Sequence, residues 1–105
     1  MSAVKSLKPR ESVVRQWLRE AGEGERRLLI SPHAQQWMKE REAGRRQVFE
    51  TLKYGTISEP LHKDVRGDWR CNVSGRHVGV RITLGVVLKF QESGEWTVIA
   101  TVFEW

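Results

Sequence analysis

The sequence predicts an α+β domain in which N-terminal helices pack on a four-stranded antiparallel sheet. Apolar residues recur at three-and-four spacing through the first half, the period of a helix with one buried face. After Gly67 the period drops to two, the alternation of half-buried strands. A length of 105 residues matches one core, and 39% hydrophobic residues fill it without staples.

Met1 to Arg10 reads as a basic, proline-bearing arm. From Ser12 to Ala21 the stripe Val13, Val14, Trp17, Leu18 and Ala21 predicts an amphipathic helix, ended by Gly22 and Gly24. Trp17 is either core or a homodimer contact. Leu28 to Ile30 is too short to assign to strand or helix. Ser31-Pro32 starts a second helix, a hydroxyl N-cap followed by proline at the first helical position. That helix runs to about Glu42 with Ala34, Trp37, Met38 and Arg41 along one side. A third helix, Arg45 to Tyr54, buries Val48, Phe49 and Leu52, and Gly55 closes it as a left-handed cap. The organisation is therefore an arm and helix over residues 1–30, then a helix pair and sheet with one core over 31–105.

Thr56 to Arg66 reads as an extended connector. Trp69, Cys71 and Val73 then alternate with Arg70, Asn72 and Ser74, and Val78, Val80, Ile82 and Leu84 with polar residues. A two-residue turn at Gly75-Arg76 pairs Val73 with Val78, Asn72 with Gly79 and Arg70 with Arg81, and puts every apolar residue on one face. Val86 to Gln91 is a third strand. Trp96 to Phe103, apolar nearly throughout, is a fourth, expected to be covered on both faces.

Eighteen Lys and Arg against 13 Asp and Glu leave a net charge of +5, a balance that favours polyanionic partners or simply maintains solubility. The candidate nucleic-acid-binding set is Arg70, Asn72, Arg76, His77, Arg81 and Lys89. Arginines facing each other across strands repel, and a phosphate would neutralise them; the alternative is a solvated sheet face. His33, with Lys39 and Arg41 on its helix, sits where the helix dipole favours anions and a neutral imidazole. There it is suited to act as a general base, or it simply packs locally.

The spacing of His33, His62 and His77 suits no metal site, and one cysteine allows no thiolate pair and no internal disulfide. No metal and no cofactor is expected. Cys71 falls on an apolar strand face and reads as core filler. Trp96 and Trp105 are the tryptophans placed to stack a base or a partner. With no apolar run of spanning length and no signal-peptide pattern, no membrane association is expected, and the predicted compartment is the cytoplasm.

Ser31-Pro32-His33-Ala34, then Met38 and Arg41, then Val48, Leu52 and Gly55, then Gly75, and finally Val98-Ile99-Ala100-Thr101-Val102 resemble a bacterial family of unknown function. Its members open on a Ser-x-His-Ala helix and close on a Val-Ile-Thr-Val-type strand. That family is grouped with RelE/ParE-type toxins, so the resemblance implies a RelE-like fold and metal-free RNA cleavage, with His33, Arg41 and Thr101 at matching positions. On that expectation His33 is the base, and Arg41, Arg70 and Arg81 stabilise charge on the scissile phosphate. The competing expectations are a non-catalytic dimer that grips nucleic acid, RNA above all, and a basic face that meets an acidic partner protein.

Overall fold

The computed structural model describes residues 8–41, 44–77 and 79–104. Among them are three helices, α1 (Glu11–Glu23), α2 (Pro32–Arg41) and α3 (Arg45–Tyr54). The strands are β1 (Leu28–Ile30), β2 (Thr56–Lys63), β3 (Trp69–His77), β4 (Val80–Phe90) and β5 (Trp96–Glu104). They form one five-stranded sheet in the order β1-β5-β4-β3-β2.

The predicted helices are all present. In α1, Val14, Leu18 and Ala21 are buried, whereas Val13 is exposed. Trp17 packs inside the chain, stacked on Trp96 with ring centroids 5.3 Å apart and with the Arg26 guanidinium 5.4 Å from its ring centroid. The α2 start is built as its sequence implies, with the Ser31 hydroxyl accepting from the Ala34 N–H at 3.1 Å. Arg41 ends the helix, but its side chain lies outside the described residues, as do Glu42, Ala43, Val78, Trp105 and the arm up to Leu7.

The expected four-stranded antiparallel sheet is corrected to five strands of mixed direction. Leu28 to Ile30 pair parallel with Val98 to Ala100 of β5, so a run too short to classify alone is settled by its neighbour. The connector after Gly55 is β2, an edge strand with two register shifts that accommodate Pro60. The two strands expected on either side of Gly85 are one continuous β4.

The hairpin register differs as well. The chain turns three residues later than Gly75-Arg76, next to Gly79, whose φ of 80° is the left-handed conformation such a turn demands. Val73 therefore faces Leu84 and Asn72 faces Gly85, while Arg70 faces Val87 and Arg81 faces Arg76. Moving the turn by three residues shifts every partner by six, an even number. Each side chain consequently keeps its face, and alternation alone cannot tell the two registers apart. The longer hairpin wins because it also opposes Cys71 to Val86 and Trp69 to Leu88.

On that face Trp69, Cys71, Val73, Leu84, Val86, Leu88, Val98 and Ala100 join Val14, Leu18, Ala34, Val48 and Leu52 in one core. Complete burial of a residue such as Leu84 stabilises the fold by about 1.5–3 kcal/mol. The other face of β5 is covered only in part: Thr97 is buried there, while Ile99 is partly exposed.

Gly55 ends α3 without the expected left-handed cap; its φ is −73°. Its value is space. A Cβ there would lie 2.5 Å from the Thr51 carbonyl oxygen and 2.7 Å from that of Ser74. The missing side chain lets the end of α3 rest directly on β3.

Candidate functional site on the open sheet face

Opposite the core, alternate residues of the same strands carry the polar chemistry. One row across the sheet reads Leu29, Ile99, Val87, Arg70 and His62, each the register partner of the next. Arg70 therefore stands beside His62, with cross-strand Cα atoms about 4.5–5.5 Å apart in such pairs. The His62 Nδ1 lies 3.2 Å from the Pro60 carbonyl oxygen and 3.5 Å from Glu59 Oε1. Both neighbours are acceptors, so they favour a proton on Nδ1, and in the neutral ring Nε2 then keeps its lone pair. The other Glu59 oxygen accepts from the Asn72 amide at 3.0 Å, which holds the carboxylate in place.

Arg70 is fixed from its other side by a bulge in β5. The partners jump from Gly85 with Val102 to Val86 with Ala100, so Thr101 is the extra residue. Its hydroxyl donates to the Gly85 carbonyl at 3.1 Å and accepts from the Arg70 guanidinium at 3.2 Å. The Thr101 carbonyl accepts from the Ser31 hydroxyl at 3.0 Å, tying the start of α2 to the same bulge.

Arg70, Lys89, Thr101, Val87 and Ile99 line a concavity of about 460 Å³ whose other wall is the loop that joins β2 to β3, with Asp64, Arg66 and Asp68. Asp64 shapes that loop by accepting from the Arg66 and Asp68 N–H groups at 2.9 and 3.0 Å. Desolvation raises the Asp64 carboxyl pKa, but these N–H groups, with Arg70 and Arg66, bring the net shift below its ordinary value. No carboxylate among the described side chains lies within ion-pair distance of Arg70 or Lys89.

A second cationic group occupies the far end of this face. Arg76 and Arg81 are direct cross-strand partners, and with Tyr54, Thr56, Ser74 and Gly75 they line a concavity of about 380 Å³. Between the two ends, Ser74 bonds to Ser58 at 2.8 Å and to Thr83 at 2.9 Å, an uncharged hydroxyl chain. A larger concavity of about 580 Å³ lies elsewhere, between the α1–β1 loop and the β4–β5 hairpin. There Arg26 is tied to Glu20 at 2.9 Å and to the Trp96 carbonyl at 3.0 Å, and Glu25, Glu92 and Glu95 offset the remaining charge.

The sequence-predicted set is thus divided. Arg70, Asn72 and Lys89 gather at one end of the open face, and Arg76 and Arg81 at the other. Six residues of β3 separate Arg70 from Arg76, about 20 Å at the ~3.3 Å rise of a strand. His77 belongs to β3, but its side chain lies outside the described residues. His33 is exposed in the first turn of α2 and makes no described contact with Arg70; the link between them runs through Ser31 and Thr101. Arg41 is eight residues further along that helix, ~12 Å at 1.5 Å per residue. Among the described side chains, His33, Arg70 and Arg81 do not converge on one phosphate-sized space. Glu59 and His62 were missed because Pro60 and two bulges hide the alternation of β2.

Among the described residues no three His, Cys, Asp or Glu side chains stand together as metal ligands, and no helix is long and apolar enough to cross a membrane. No curated protein and no solved structure matches the chain. Residues 30–104, from the last residue of β1 through the end of β5, match the domain of unknown function DUF4258, and the chain belongs to that family.

Proposed function

We propose that the open sheet face binds RNA and cleaves it without a metal, with the reaction centred on Arg70 and His62. The observation that supports this reading is the row itself. An imidazole whose Nδ1 faces Glu59 and Pro60 stands beside a guanidinium held by Thr101, with Asp64 close enough to act on it through space but no described carboxylate at ion-pair distance. The RelE/ParE-like character of the sequence pattern and the net charge of +5 favour the same substrate.

In this reading His62 Nε2 removes the proton from a ribose 2′-hydroxyl. The 2′-oxygen forms a bond to the adjacent phosphorus as the bond to the 5′-oxygen breaks. A 2′,3′-cyclic phosphate and a 5′-hydroxyl result, and the leaving oxygen takes its proton from water. Arg70 and Lys89 neutralise the charge that grows on the phosphoryl oxygens. Proton transfer by a positioned side chain is worth about 10²–10⁴-fold in rate.

The test is incubation of the purified protein with single-stranded RNA, followed by end-group analysis. Cyclic phosphate ends are expected, with loss of cleavage in His62→Ala and Arg70→Ala and full cleavage in His33→Ala. Intact RNA would end the catalytic reading. Loss of cleavage in His33→Ala but not in His62→Ala would move the base to the start of α2. His62 and Glu59 are each about half-exposed, which favours a second reading in which the same cations bind RNA and cut nothing. Retention of RNA that weakens steeply with salt, without cleavage, identifies that version.

A further inference from the structure

We infer that the Arg76–Arg81 end of the open face is a second subsite for the same strand, where Tyr54 stacks an unpaired base and the two arginines hold a phosphate. This rests on the reading of the face as an RNA surface and adds a length requirement and a base contact to it.

Tyr54 is 75% exposed, among the largest apolar surfaces the described chain leaves uncovered. Its position is built. Gly55 has no room for a Cβ against Ser74, and a Cβ on Gly75 would lie 3.6 Å from the Gly55 Cα, so backbone meets backbone where α3 hands over to β2. The Tyr54 backbone is thereby held at the edge of the sheet, and its side chain lines the concavity with Arg76 and Arg81. Lys53 Nζ lies 5.1 Å from the ring centroid and adds a third cation.

Arg76 and Arg81 are opposed on adjacent strands, an arrangement that destabilises a sheet unless an anion lies between them. Among the described residues the Arg76 guanidinium donates to the Gly79 carbonyl, at 3.4 Å, and no described carboxylate reaches either arginine. An exposed aromatic ring beside guanidinium groups that no described carboxylate neutralises is the combination that single-stranded nucleic acid uses, a base on the ring and a phosphate on the cations. The ~20 Å between the two ends corresponds to about six nucleotides at the 3.4 Å of axis that a stacked strand takes per nucleotide. Between them lie the Asn72–Glu59 pair and then the hydroxyls of Ser58, Ser74 and Thr83.

The decisive measurement is fluorescence anisotropy with labelled 2′-O-methyl RNA, which cannot be cleaved through its 2′-oxygen, as a tetramer and a decamer. Wild-type protein is compared with Tyr54→Leu and with Arg76→Ser/Arg81→Ser, all checked for unchanged melting. The decamer is expected to bind at least about tenfold more tightly than the tetramer, and each variant to remove most of that advantage. A duplex of the same sequence is expected to be indifferent to Tyr54→Leu, because its bases are already stacked. Decamer affinity unchanged by either variant overturns the subsite. So does displacement of the decamer by poly-glutamate with no role for Tyr54, which would mark the surface as a dock for an acidic protein. Normal cleavage with Tyr54-independent binding sinks this inference alone; Tyr54-dependent binding without cleavage sinks only the chemistry at His62.

Discussion

The two faces of one sheet divide the work of this chain. Leu84 and Thr83 are neighbours on β4, yet Leu84 lies at the bottom of the core and Thr83 belongs to the hydroxyl chain of the open face. The helix-covered face is closely packed, and its stability depends on side-chain volume. The open face holds its positions through hydrogen bonds such as Arg70 to Thr101 and Asn72 to Glu59. Mutations on the first should therefore read out as stability, and mutations on the second as binding.

The largest expected effect is in the core. Leu84→Ala leaves a cavity beneath the sheet and should cost about 2–5 kcal/mol in urea denaturation. Gly55→Ala tests where the faces meet: a methyl group at 2.5 Å from one carbonyl oxygen and 2.7 Å from another forces α3 off β3. A loss of about 1–3 kcal/mol is expected, and an unchanged midpoint would mean that the helix end is free to move.

Cys71 sharpens the comparison through pH. Burial pushes its thiol up to about 11 from 9.0. Between those values the folded chain holds a proton that the unfolded chain has released, so the contribution is complete below pH 9 and is lost as pH rises toward 11. Relative to Cys71→Ala, the wild type should lose on the order of 2 kcal/mol across that window. The smallest effect belongs to the open face. Lys89→Ala should change stability by less than about 0.5 kcal/mol while lowering the salt slope of RNA binding by about one. If Lys89→Ala cost as much stability as Leu84→Ala, the division between the faces would fail.

The helices were legible because α1 to α3 carry their own signals: an apolar stripe in α1, Ser31-Pro32 before α2, Val48 and Leu52 in α3. The apolar face of β3 and β4 was legible for the same kind of reason, since side-chain alternation survives any even shift of register. The open face was not. Arg70 was expected opposite Arg81, and it stands instead beside His62 and Val87. Thr101 matched a sequence pattern, but its bond to Arg70 exists only because β5 bulges opposite Gly85. Trp17, read as either core or a homodimer contact, stacks on Trp96 of its own chain, a contact between segments far apart in sequence.

The sequence by itself determined the class of fold, the three helices and which strand residues turn inward, because those properties follow from local periodicity and capping. Only the tertiary structure decided the parallel placement of β1, the long β3–β4 hairpin and the meeting of His62 with Arg70. These depend on which of several parity-equivalent pairings buries the most apolar surface, and that is a sum over contacts between segments far apart in the chain.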